Sequence, residues 1–200
     1  LTAIGGLFAG TIITLAVPPA AAAAQAAQPQ AAVVDPAGLA ATAADALVAG
    51  DDARLLKSPG DNLVRMNVQS GGNGLQYVAY ERTYQGLAVV GGDMVVVTDS
   101  AGKVLNTAVA QDRVIDVGTT PKIRAKQAQN TAKGQLAVIE AVSAPRLVVL
   151  AWGAPRLAWE TVVTGASATA PSKLHVFVDA LTGKVADSYD EVRAGTGNGF

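Results

Sequence analysis

The sequence predicts an α+β fold: two small helix-plus-antiparallel-sheet modules in tandem after a signal peptide. Helix starts at Asp35-Pro36 and Thr120-Pro121 each stand ahead of a run of strand-like segments. Those segments are short, rich in β-branched and aromatic residues, and separated by Gly- and Asp-containing turns, as antiparallel meanders are. Helices followed by groups of strands favour α+β layers over an alternating parallel sheet.

From Ala3 to Val17 the chain is apolar, interrupted only by Gly, Thr11 and Thr14, and Pro18-Pro19 ends any helix there. Small residues from Ala20 to Ala27 then supply several Ala-x-Ala frames. This reads as the h-region and cleavage zone of a secretory signal, residues 1–27, with cleavage near Ala24 or Ala27. A membrane span needs about 20 apolar residues, and this run is shorter. The chain opens on Leu1 without a basic n-region, so a start further upstream is expected. Residues 28–36 are Ala/Gln/Pro-rich and are expected to form a disordered linker.

The first module is assigned to residues 37–116. Asp35 supplies an N-cap and Pro36 a first turn. Leu39, Ala43, Ala46 and Leu47 share a helical face, and Gly50 ends the helix. Leu63 to Val68 is a candidate strand, and Gly71-Gly72-Asn73-Gly74 a turn. Strands are then expected at Leu75–Tyr84, Leu87–Val90, Met94–Thr98 and Val104–Val109, with turns at Gln85-Gly86 and Asp99–Gly102.

The second module is assigned to residues 117–193. Its helix is expected from Thr120-Pro121 to about Ala132, with Gly134 as a breaker. Leu136–Val142 is either helical or extended. Strands follow at Arg146–Leu150, Arg156–Thr164, Lys173–Asp179 and Lys184–Tyr189. Leu157, Trp159, Thr161 and Val163 share one face of the second of these, and Leu174, Val176 and Val178 one face of the third. Asp179 to Gly183 forms the last turn.

Little of the chain carries reactive chemistry. With no cysteine among 200 residues, no thiol nucleophile, thiolate metal site or disulfide is available. A net charge of -1 provides no broad positive field for nucleic acid, and no basic cluster addresses an anionic membrane. His175 is the only histidine, whereas a catalytic zinc usually takes three protein ligands. It is expected as a partly exposed strand residue. No serine stands in a nucleophile-elbow pattern. Gly91-Gly92-Asp93 lacks the Lys-Ser/Thr ending of a phosphate loop and reads as a bulge or tight turn. Asp179, Asp187, Asp190 and Glu191 have no calcium-loop spacing and read as a solvated face. Trp152 and Trp159 read as core or subdomain-contact aromatics.

The stretch Glu81-Arg82-Thr83-Tyr84-Gln85-Gly86-Leu87-Ala88-Val89-Val90-Gly91-Gly92-Asp93 resembles the fungalysin/thermolysin propeptide motif, an aromatic-Gly-Leu-x-Val strand ahead of Gly-Gly-Asp. Arg82, Tyr84, Gly86, Leu87, Val89, Gly91, Gly92 and Asp93 carry that likeness. Arg156–Glu160 and Val176–Val185, with Asp179 and Gly183, resemble a PepSY module. The two together cover about residues 37–193.

The resemblance implies the propeptide of a secreted thermolysin-like zinc metalloprotease, acting as intramolecular chaperone and inhibitor. The partner is then the protease's own catalytic domain, in cis before cleavage. Asp187, Ser188, Tyr189, Asp190, Glu191, Val192, Arg193 and Ala194 are the expected cleft-binding tail, and residues 194–200 the junction to the mature enzyme. Phe177 and Tyr189 are candidate contact aromatics. No catalytic residue and no cofactor are expected in this stretch; zinc and calcium are expected for the catalytic domain, which is expected beyond Phe200. The alternatives are a stand-alone secreted PepSY-type inhibitor, or a truncated precursor remnant.

Overall fold

A computed structural model describes residues 35–168 and 170–192, which lie within one compact unit. The expected signal peptide, most of the linker, Arg193, Ala194 and the junction fall outside the described residues.

The described chain runs α1 (Pro36–Ala49), β1 (Asp61–Ser70), β2 (Gln76–Tyr84), β3 (Leu87–Val90), β4 (Met94–Thr98), β5 (Val104–Val109), α2 (Ala125–Lys133), β6 (Val138–Val142), β7 (Arg146–Leu150), β8 (Arg156–Ala166), β9 (Pro171–Asp179) and β10 (Val185–Asp190). The α+β expectation holds. The sheet order is β10-β9-β8-β7-β3-β2-β4-β5, with β1 on β2 and β6 on β8. Its pairings are antiparallel except β3 with β7, which run parallel and carry the sheet unbroken from the first half to the second.

α1 begins where an oxygen acceptor and a pre-set φ coincide. Asp35 Oδ1 accepts from the Ala37 N–H at 3.1 Å, and Pro36 fills the first turn. Gly50 closes the helix, its N–H reaching the Ala46 and Leu47 carbonyls. The buried face differs from the expected one. Ala40 and Ala44 are fully buried, with Leu47 and Val48 packed against the same cluster, while Leu39 is exposed. Two methyl-sized side chains let the helix backbone approach Val78, Tyr80, Met94 and Val96 closely; Leu39 would hold it away.

α2 starts at Ala125, later than Thr120-Pro121 suggests. The Lys122 and Ile123 N–H groups both donate to the Ala180 carbonyl at 2.9 Å, and the Trp159 indole N–H donates to the Ile123 carbonyl at 2.8 Å. Those bonds hold residues 122–123 against the β9–β10 turn, outside any helix. Ala128 and Ala132 then pack on Val163, Val176 and Val178. Residues 138–142 are extended, and β1 is longer at both ends than Leu63–Val68.

Paired residues in a sheet share a side. Following Tyr84↔Leu87, Val89↔Val149, Val149↔Leu157 and Trp159↔Val178 leads from the neighbours of α1 to those of α2. Both helices therefore cover one face. Among the described residues, no α-helix covers the other.

Candidate functional site

The family-motif residues build the corner where β3 leaves β2. Gln85 and Gly86 have φ of 48° and 82°, the pair of positive values that a two-residue hairpin turn with the twist of its strands requires. Leu87 and Ala88 pair with β2, and Val89 and Val90 then turn away to pair with β7. Behind this break lies Arg82, whose side chain is entirely shielded. It donates through Nε to the Gly92 carbonyl (3.2 Å), through Nη1 to the Leu56 carbonyl (3.2 Å) and Asp61 Oδ2 (2.5 Å), and through Nη2 to the Leu55 carbonyl (2.7 Å). One guanidinium thus ties the Gly-Gly-Asp break to the loop after α1 and the start of β1. Val89 and Tyr84 are buried in a cluster with Ile115, Val149 and Ala151. Gly91 has φ 77° and lies where any Cβ would strike the Trp152 indole; a Cβ on Gly92 would strike Val89. The Asp93 carbonyl accepts from the Ala110 N–H at 2.9 Å. These motif residues set backbone path.

The turn residues Asp179 and Gly183 act likewise. Asp179 Oδ1 accepts from the N–H groups of Leu181 and Thr182 and the Thr182 hydroxyl. Partial burial opposes its ionisation, yet those donors hold the carboxyl below its ordinary range. Gly183 has φ 75° and returns its N–H to the Asp179 carbonyl.

On the helix-free side lies an open pocket of about 570 Å³. One wall is the motif corner, with Glu81, Thr83, Ala88, Val90, Gly91 and Asp93; the other is Arg146, Glu160, Trp152 and Tyr189. The structure thus brings the motif and one residue of the expected tail, Tyr189, to a single concavity. Trp152 is 39 % exposed and meets both Phe177 and Tyr189 edge-on at 5.9 and 6.2 Å. Trp159 sits against α2. Phe177, expected as an exposed contact aromatic, is fully buried: its ring fills the space between Val148, Leu150 and Ala158. Tyr189 is 41 % exposed.

His175 is the partly exposed strand residue expected, but it has two carboxylate partners that were not. Its side chain is 12 % exposed and bonded on both ring nitrogens, Nδ1 to Glu160 Oε1 at 2.8 Å and Nε2 to Glu191 Oε1 at 2.5 Å. The Tyr189 ring stacks on it at 4.5 Å and 9°. The other Glu160 oxygen takes Nε and Nη2 of Arg146 at 3.1 and 2.6 Å, and the other Glu191 oxygen takes Lys173 Nζ at 2.7 Å. Burial works against ionised Glu160, but the Arg146 and His175 bonds prevail and lower its pKa. Lys173, then His175, lowers that of Glu191. Burial, then the charges of Glu160 and Glu191, pushes the Tyr189 hydroxyl up.

The acidic set is not one site. Asp190 accepts from the Ser172 hydroxyl and from the N–H groups of Lys173 and Val192, donors that lower its pKa in the order Ser172, Val192, Lys173. Asp187 Oδ1 accepts from the Ser188 N–H. Among the described residues, no three His, Asp or Glu side chains are grouped to hold a metal ion, and no helix is long and apolar enough to cross a membrane. The His175 network escapes a search for ligand spacings. The sequence signal for it is Glu160, the one carboxylate in β8, which burial obliges to find partners.

Residues 61–107 match the family described as the Fungalysin/Thermolysin Propeptide Motif. That stretch is similar to the propeptide region of thermolysin-family proteases. A transglutaminase-activating metalloprotease of Streptomyces mobaraensis is 43% identical over 147 residues, 69% of this chain and 19% of that protein. The chain thus spans about a fifth of that relative's length. The Bacillus megaterium YpeB C-terminal domain aligns over 64% of this chain and 56% of its own at 17% identity and a TM-score of 0.36.

Proposed function

We propose that the chain is the propeptide of an exported thermolysin-like zinc metalloendopeptidase, serving that enzyme as intramolecular chaperone and inhibitor. Residues 37–116 act as the propeptide-motif module and 117–193 as a PepSY-like module. The observation that carries this reading is the shared pocket: motif residues and Tyr189 of the tail strand line one concavity on the helix-free side of the sheet. A folded face with an aromatic wall supplies contact area, and the tail beside it reaches the cleft.

Inhibition by this route needs no reactive group of the propeptide's own. Before cleavage the tether gives the tail a high effective concentration at the cleft. Cleavage removes the tether, and degradation of the propeptide makes release irreversible. Chaperoning has its own rationale: enzymes protected by slow unfolding gain from a partner that stabilises the folding transition state. Zinc and calcium belong to the protease in this scheme. In this reading the partner is the catalytic domain and the compartment is extracellular, reached through residues 1–27.

The test is inhibition in trans. Added to its cognate mature protease, the chain should inhibit it, and a form ending at Tyr189 should inhibit far less. Equal inhibition by both forms would remove the tail from the mechanism.

A further inference from the structure

We propose that His175 is a proton-operated latch that holds the start of the tail against the sheet through Glu191. The latch deepens the propeptide reading only in its consequence, since its parts lie within this chain.

An ionised carboxylate only accepts hydrogen bonds. His175 faces a carboxylate on each side, Glu160 from β8 and Glu191 just past β10. Bonding both at once takes two N–H groups, hence the imidazolium. The neutral ring has one N–H, so one carboxylate then meets a nitrogen lone pair. The two partners are unequal. Glu160 is 8 % exposed and keeps Arg146, whereas Glu191 is 41 % exposed and keeps only the half-exposed Lys173. The bond that yields is the one to Glu191.

The charged and titratable groups around the ring are few. Glu160 faces it from β8, with Arg146 of β7 behind. Lys173 lies two residues away on β9 and pairs with Glu191. Tyr189 of β10 stacks on the ring face. Both carboxyl groups stay below their ordinary range, so they remain ionised while a histidine changes charge. Histidine is the side chain whose charge ordinarily changes between about pH 5 and 8.

Losing the latch takes from Glu191 its bond to the ring that stacks on Tyr189 and leaves it the Lys173 ammonium and its own N–H on the Lys173 carbonyl, a weaker hold on the chain from Tyr189 to Val192. The tail is therefore docked under mildly acidic conditions and loosened as the pH rises. If the propeptide reading is right, release of the inhibitory segment follows the same profile.

The experiment is hydrogen exchange of the full chain at several pH values between about 5 and 8, with rates corrected for intrinsic exchange. Protection at Asp187–Val192 should fall by about tenfold or more toward high pH, from the lower end of the range for one hydrogen bond to a charged group upward. His175→Gln should remove the pH dependence and leave the tail loose throughout. Glu191→Gln, at an exposed position that does not endanger folding, should do the same. A pH-independent wild type, or a fall that persists in either variant, would overturn the latch. None of these readouts involves a protease, so failure of the latch and failure of the propeptide reading are separate results.

Discussion

The Arg82 guanidinium and the Asp61 carboxylate meet at 2.5 Å with both side chains wholly shielded from solvent. Removing one member strands the other as a buried charge. Arg82→Met or Asp61→Leu alone should destabilise the chain by about 3–5 kcal/mol. The double variant should be less damaged than the sum of the two. Urea unfolding of the three variants reads this directly; additive losses would mean that the backbone bonds of Arg82 to Leu55, Leu56 and Gly92 matter more than the ion pair.

Gly91 and Trp152 are coupled by shape. Gly91→Ala combines an unfavourable positive φ with a collision against the indole, and should cost about 1–3 kcal/mol. In a Trp152→Ala background the collision disappears, and roughly 1–2 kcal/mol of backbone strain remains. A double-mutant cycle measures the difference. An unchanged cost would place the whole effect in the backbone.

Acid should weaken the second half of the sheet. Glu160, Asp179, Asp190 and Glu191 all have folded-state pKa values below their ordinary ones. Their stabilisation is present above the unfolded carboxylate range, about 4, and is lost as pH falls through the folded values. The urea midpoint should therefore drop from roughly pH 5 downward, and Glu160→Gln should flatten the drop. A midpoint indifferent to pH would contradict the role given to these carboxylates.

The packing of α1 is testable by size. Ala44→Leu places a large side chain where a methyl group touches Val78 and Met94, and should cost about 1–3 kcal/mol by overpacking. Leu39→Ala, at an exposed position, should change stability by no more than about 0.5 kcal/mol. The reverse ranking would return the helix to the face with Leu39 inside.

Strands and turns were legible because their signals are local. Gln85-Gly86 and Asp99–Gly102 fall where a turn residue must adopt a special backbone or accept from it, and runs of β-branched and aromatic residues mark β2, β4 and β9. The α1 face was misread because size argues for Leu39 inside, whereas close helix–sheet approach selects Ala40 and Ala44. The late start of α2 depends on the Ala180 carbonyl, far along the chain. The parallel β3–β7 pairing was also out of reach, since no local pattern states which distant strand lies alongside. Within the site, the motif residues were found but their work, fixing the break between β3 and β4 around Arg82, depends on three separated segments. The His175 bonds join β8, β9 and the chain after β10, so no spacing in the sequence reveals them. Phe177 was placed outside because strand alternation gives two faces without telling which is covered.

The most direct test is calorimetric titration of the chain into its cognate mature metalloprotease, with peptide hydrolysis followed in the same samples. The account predicts a one-to-one complex in which hydrolysis stops as binding saturates. An absence of binding heat at several temperatures, with full hydrolysis at a large excess of the chain, would contradict it.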